Sequence, residues 1–184
     1  FVSAHPLDLE ATLATLELVR KHGYTPVFVG RYYARLLDKQ LETAGVDLEE
    51  ELLLAIMRTT DADLTLPRFR TVYISELKER KLAVFIPPHN VKAIRTFAEA
   101  LDTESGGLLH VTVLGEPLSE EWVVEEKKVE NWLEIMGVTS IRLHVSGHYM
   151  PHEFKDIVGV VMPKKIIPIH TKAPNTMLAL FKNL

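Results

Sequence analysis

The order of apolar runs in this chain predicts an α/β fold, a three-layer arrangement with a mostly parallel sheet flanked by helices. Three observations carry that prediction. Short apolar runs, among them Thr25–Gly30, Leu82–Ile86 and Leu108–Leu114, read as strands, and Thr25–Gly30 as a buried one. Between such runs lie longer stretches whose apolar residues recur with helical spacing. Polar residues gather just after the strands: Ser3 and His5, Arg31, His89 and Asn90, Glu116, Ser146 and His148, and His170 and Thr171. If the strands are parallel, these residues share one rim, the carboxyl edge where open α/β sheets place their ligands.

Phe1 to His5 reads as the end of a strand and its loop. Pro6 to His22 is a helix with Leu9, Leu13, Leu16 and Val19 or Arg20 on one face, stopped by Gly23. After the strand at Thr25–Gly30, residues Tyr33, Leu36, Leu37, Leu41 and Ala44 mark a second amphipathic helix ended by Gly45. A third helix is expected from Leu48 to Met57. Asp61 to Arg70 is polar and irregular, Thr71 to Ile74 a weaker strand, and Ser75 to Arg80 one or two helical turns. Leu82–Ile86 is a strand, Pro87 to Asn90 its loop, and Asn90 the N-cap of a helix from Val91 to Leu101. Ser105 to Gly107 turns into the strand at Leu108–Leu114. Ser119 caps a long helix with an apolar stripe of Trp122, Val129, Trp132, Leu133 and Met136, ended by Gly137. Two buried parallel strands close the chain, one beginning at Ile141 and leading into His148, the other Lys165 to His170. The helix between them starts at Pro151, a residue suited to a first turn. That strand–helix–strand unit would bring His148 and His170 to the same edge. Ala173 to Leu184 is a terminal helix.

The chain has 184 residues, 47% of them apolar, enough for one good core. Its net charge of −4 provides no basic field for unspecific nucleic-acid binding, so any phosphate contact must be a local pocket. The absence of cysteine removes disulfides and thiolate metal sites and fits a cytoplasmic or a thermophilic source. No apolar run has membrane-spanning length, and no membrane partner is expected. Phe1 opens the chain in mid-strand, so a longer parent protein is expected.

Imidazole ligates zinc well and hands protons to leaving oxygens. Gly147 lets the backbone around Ser146 approach an anion closely. The rim could therefore hold a phosphate between Ser146, His148 and Arg31, with His170 beside a metal. Blander readings stand beside this one. A single loop histidine is more often structural than functional, and His22 at a helix end most simply complements the dipole. His110 sits within a strand as a core or face residue. Trp122 and Trp132 read as core rather than stacking platforms, and the acidic run from Glu120 to Glu126 as a solvated helix face.

His144-Val-Ser-Gly-His148, a helix, then Ile-Pro-Ile-His170-Thr171 resembles the end of the β-CASP metallo-β-lactamase nucleases. These include ribonuclease J and the endonuclease of the eukaryotic cleavage-and-polyadenylation complex, and the Ile-Pro-Ile-His-Thr run is similar to archaeal members. The step from His148 to His170 looks like the step between motifs B and C of that family. Phe-Val-Ser-Ala-His5, Val-Phe-Val-Gly-Arg31 and Val-Phe-Ile-Pro-Pro-His-Asn90 resemble its inserted β-CASP domain.

The resemblance implies residues 1–140 as a β-CASP domain and 141–184 as a returning strip of the metallo-β-lactamase domain. It implies a zinc-dependent, two-metal ribonuclease acting on single-stranded RNA in RNA processing or decay. His170 would be a metal ligand, His148 catalytic, and His144, Ser146, Gly147 and Arg31 contacts to the substrate phosphate. A homodimer is implied as well. The His-x-His-x-Asp-His metal motif that precedes this region in the family is missing from the chain. Its N-terminal metal-binding half is therefore an expected partner, and the chain alone is expected to be inactive. The rival expectation is a stand-alone, non-enzymatic α/β module that binds a nucleotide or small anion at the strand-end rim.

Overall fold

The structure, a computed structural model, describes residues 1–57, 64–103, 107–115, 119–144, 151–169, 171 and 173–181. Its elements run β1 (Val2–Ala4), α1 (Leu9–Lys21), β2 (Thr25–Val29), α2 (Arg31–Ala44), β3 (Leu52–Ala55), β4 (Phe69–Val72), β5 (Leu82–Ile86), α3 (Val91–Leu101), β6 (Leu109–Leu114), α4 (Glu120–Ile135), β7 (Thr139–His144), α5 (Pro151–Val161) and α6 (Pro174–Ala179). A single 3₁₀ turn, Ile74–Leu77, joins β4 to β5. The chain divides into two compact units, Phe1–Val145 and Ser146–Leu184.

The first unit is a seven-stranded sheet in the order β4-β3-β2-β5-β1-β6-β7, with every neighbouring pair parallel. Successive residues of a strand point to opposite faces, and the two faces bury different sets. Phe28, Leu52, Leu54 and Phe85 pack with Leu16 of α1 and Tyr33, Leu37 and Leu41 of α2. On the other face Val27, Val29, Leu53, Val84 and Ile86 pack with Leu77, with Ile94 and Phe97 of α3, and with Leu133 of α4. The result is the predicted three-layer α/β sandwich. At its centre Phe28 stacks on Phe85 at 4.7 Å and meets the edges of Tyr33 and Phe69, both at 5.6 Å.

Local chemistry sets the helix ends. Asp8 caps α1 by accepting from the Ala11 amide at 2.9 Å. Gly45 ends α2 in the left-handed conformation expected of a C-terminal glycine. Ser119 caps α4 by accepting from the Trp122 amide at 3.3 Å. Asn90 does precede α3, but its side chain makes no cap bond.

Three elements depart from the sequence expectation in this unit. The strand expected to be buried from Ile141 starts at Thr139 as β7, and it is exposed there, with Ile141 at 46% and Leu143 at 51%. The helix expected from Leu48 to Met57 is instead strand β3. Leucine and alanine favour helices in isolation, yet Leu52 and Leu54 enter one core while Leu53 and Ala55 enter the other. Two-sided burial in a parallel sheet overrides propensity here. Strand β4 also begins earlier than expected, at Phe69, because its register places Phe69 beside Leu52 and Val72 beside Ala55.

In the second unit α5 starts at Pro151, as predicted. Met162 leaves it with a positive φ of 45°. The buried strand expected at Lys165–His170 is not formed over the described residues 165–169. Ile167 is 67% and Ile169 74% exposed. A strand exists through its neighbours' hydrogen bonds, and Pro168 has no amide hydrogen to give. The strand–helix–strand unit expected around α5 is therefore absent from the described residues. The terminal helix is shorter than expected: α6 has Pro174 in its first turn, and the Thr171 hydroxyl accepts from the Ala173 amide at 3.1 Å. Among the described residues no helix is long and apolar enough to cross a membrane.

Candidate functional site

Beside β1 the strand order sends the chain to opposite faces of the sheet. From β1 it continues to α1, on one face. From β5 and β6, the strands flanking β1, it continues to α3 and α4 on the other face. Divergent exits open a crevice at the carboxyl ends of such strands, the usual ligand position in open α/β sheets.

Three aromatic side chains meet there, one from each of these connections. His5 follows β1, His89 follows β5, and Trp122 lies in the first turn of α4 after β6. The His5 ring stacks on the Trp122 indole at 5.5 Å with an interplanar angle of 26°. His89 approaches the same indole edge-on at 5.2 Å and 71°. The Nδ1 atom of His5 accepts from the Leu7 amide at 3.2 Å, which leaves Nε2 to carry the proton of the neutral ring. His89 is exposed, whereas His5 and Trp122 are half-buried.

Trp122 is held by a polar chain running to the sheet edge. Its Nε1 donates to Glu126 Oε1 at 3.2 Å. Arg142 of β7 grips Glu126 with both Nη atoms, at 2.8 and 3.3 Å, and also donates to the Gly115 carbonyl at 3.3 Å. The two-pronged grip fixes α4 against β7 and with it the angle of the indole. Nearby, the hydrogen bond from Lys128 holds the Glu125 carboxyl below its ordinary range, and His89 adds a smaller electrostatic pull in the same direction.

Arg31 is on the same edge, at the start of α2 after β2. It is half-buried and makes no hydrogen bond or ion pair with any described residue. Gly30 before it has a φ of 97°, a conformation costly for any side chain, and this bend carries the chain from strand to helix. Arg31 is the one expected phosphate contact whose side chain is described. His144 ends β7, paired with Leu114, and nothing is assigned to its side chain. Ser146, Gly147, His148, His170 and Glu116 lie outside the described residues, so the expected phosphate and metal pockets lie there as well. Among the described residues no three histidines or carboxylates are grouped to hold a metal ion. No chemical step is assigned to a metal.

Ser3, expected on the rim, is 1% exposed and lies inside the sheet. Its hydroxyl is 2.9 Å from Nε2 of His110, itself 1% exposed. The other ring nitrogen of His110 is 3.4 Å from the Ser140 hydroxyl and 3.5 Å from that of Thr112. Burial pushes the His110 pKa down to about 4, so the ring is neutral. A serine beside a neutral imidazole can suggest a nucleophile, but substrate cannot reach this pair. Its role is to satisfy polar groups across β1, β6 and β7.

The sequence placed His5 and His89 on the rim and missed their partner. Trp122 was expected in the core with Trp132, yet Trp122 roofs the crevice and Trp132 is 55% exposed. The signal for Trp122 was its position: three residues past the Ser119 cap, it belongs to the rim end of α4 rather than to its buried middle. The fold and this crevice define a parallel three-layer α/β domain with an aromatic site at its carboxyl edge. The chain matches no protein-family model and no curated protein.

Proposed function

We propose that this chain is the RNA-holding domain, with part of the active site, of a metal-dependent ribonuclease of RNA processing or decay. The observation that supports it best is the convergence of His5, His89 and Trp122 in the crevice beside β1. Aromatic side chains at such an edge suit unpaired nucleobases, which stack on them with little regard to sequence. An entering base competes with His5 for the indole face. Arg31, without a protein partner among the described residues, is suited to a backbone phosphate. With a net charge of −4, the affinity must come from these local contacts.

His148 as acid, His170 as metal ligand and the phosphate contacts of His144, Ser146 and Gly147 rest on the sequence motifs. Cleavage in this reading needs a metal-binding half besides this chain, with zinc as the expected metal. The reading puts the work in the cytoplasm.

A second reading is favoured by the same crevice. A nucleotide or small anion is the usual occupant of such a switch point in open sheets. Tryptophan fluorescence separates the two, measured in a Trp132→Phe background so that Trp122 reports alone. A single-stranded RNA oligonucleotide should quench the emission at far lower concentration than AMP. Arg31→Ala should weaken RNA binding, and so should Trp122→Ala, by about tenfold or more when followed by anisotropy of labelled RNA. Equal affinity for RNA and AMP would make the chain a mononucleotide module instead.

A further inference from the structure

The opposite, amino edge of the sheet carries a second polar cavity, of about 530 Å³. Three arginines reach it from three elements: Arg20 from the last turn of α1, Arg70 from β4, and Arg80 from the segment before β5. Glu49, Glu50 and Glu51, which lead into β3, line the same space, and Tyr24 forms part of its wall. Among these six charged side chains one ion pair forms, and it is loose. Arg20 donates to the Glu50 carbonyl at 3.4 Å and lies 4.0 Å from its carboxylate. The buried Nε of Arg20 has no hydrogen-bond partner among the described residues. Arg70, Arg80, Glu49 and Glu51 make no ion pair with any described residue.

The guanidiniums of Arg70 and Arg80 and the carboxylates of Glu49 and Glu51 are exposed and line the cavity, so they are open to a ligand. The mixture of charges restricts what that can be. A bare anion would gain the guanidiniums but face the carboxylates, and a bare cation would face the reverse. A ligand with a phosphate at one end and hydroxyl donors at the other satisfies both sets. Guanidinium groups match phosphate oxygens in number and plane, and carboxylates accept from sugar hydroxyls.

We propose that this amino-edge cavity binds a sugar phosphate, its phosphate on Arg70 and Arg80 beside Arg20 and its hydroxyls on Glu49 and Glu51. The site does not depend on the carboxyl-edge reading, since no residue is shared. At roughly the middle of the range for small-molecule pockets, ~300–1,000 Å³, the volume suits a pentose phosphate.

The test is calorimetric titration of the whole chain with ribose 5-phosphate and, separately, with inorganic phosphate. Ribose 5-phosphate should bind more tightly than inorganic phosphate. The Arg70→Ala, Arg80→Ala double variant should weaken binding of both by about tenfold or more, since it removes two charge-assisted contacts. Glu49→Gln with Glu51→Gln should weaken ribose 5-phosphate and spare inorganic phosphate. Trp122→Ala should change neither. All four substituted edge side chains are exposed, and thermal melting of each variant verifies that the fold persists. No binding of ribose 5-phosphate at millimolar concentration overturns the proposal. So does equal affinity for the two probes, or a double variant that binds as the parent does.

Discussion

The middle of the sheet and its β7 border are held in different ways. Strands β2 and β5 are covered on both faces, and Phe28 and Phe85, stacked at 4.7 Å, are fully buried. Among the described residues strand β7 has one neighbour, β6, and on the face it shares with Val111 and Val113 its Ile141 is 46% and Leu143 51% exposed. Among the described residues, the core that α1 and α2 form on that face includes no residue of β7. The middle is held by packing. The border is held by its ladder to β6 and by polar grips, Arg142 on Glu126 and His110 between Ser3 and Ser140.

Substitutions should expose that contrast. Phe85→Ala opens a cavity beneath Phe28 and should lower the unfolding free energy by about 3–5 kcal/mol, read from urea or guanidinium denaturation. A loss below about 1 kcal/mol would mean that the middle is not the stability centre. The next effect comes from His110, which bridges the two regions. Its pKa in the fold, about 4, lies below its ordinary value of 6.5, so the unfolded chain takes up the proton more readily. The stability gained from keeping this ring neutral is complete above pH 6.5, declines as the pH falls, and is gone below about 4. The span corresponds to about 3 kcal/mol. Denaturation midpoints of the parent and of His110→Gln, compared from pH 7.5 down to 4, should diverge in slope over this window. Parallel curves would place the histidine's proton elsewhere. The smallest effect belongs to the open border: Ile141→Thr should change stability by no more than about 0.5 kcal/mol. A loss as large as that of Phe85→Ala would show that β7 is covered in solution.

The same contrast explains what the sequence made legible. Strands β2 and β5 announce themselves because burial on both faces demands apolar runs, and helices α2 and α4 carry their own punctuation in Gly45 and Ser119. Leu52–Ala55 was misread because three leucines and an alanine, preceded by glutamates, suit a helix equally well until two cores claim alternate residues. Lys165–Ile169 has the composition of a strand, but a strand is completed by a neighbour, which composition does not encode. In the crevice His5 and His89 were legible from their place after apolar runs. Ser3, two residues earlier, still lies within β1 and meets His110, whereas His5 stands past the end of the strand. Trp122 was hidden because the overhang of α4 above the β1 exit follows from strand order, and nothing local in the sequence states that order.

That order also bears on how the molecule comes together in time. Val2 has Phe85 on one side and Val111 on the other. A chain emerging from synthesis makes β1 first and its two neighbours much later. Until β6 has been made, the three residues of β1 have no complete slot, and the crevice that holds His5 against Trp122 has no walls. Pairings that wait for distant partners are slow to form and leave apolar surface open meanwhile. β1 thus waits for β6 before both its edges are paired, and the site it anchors cannot exist before the sheet is nearly whole.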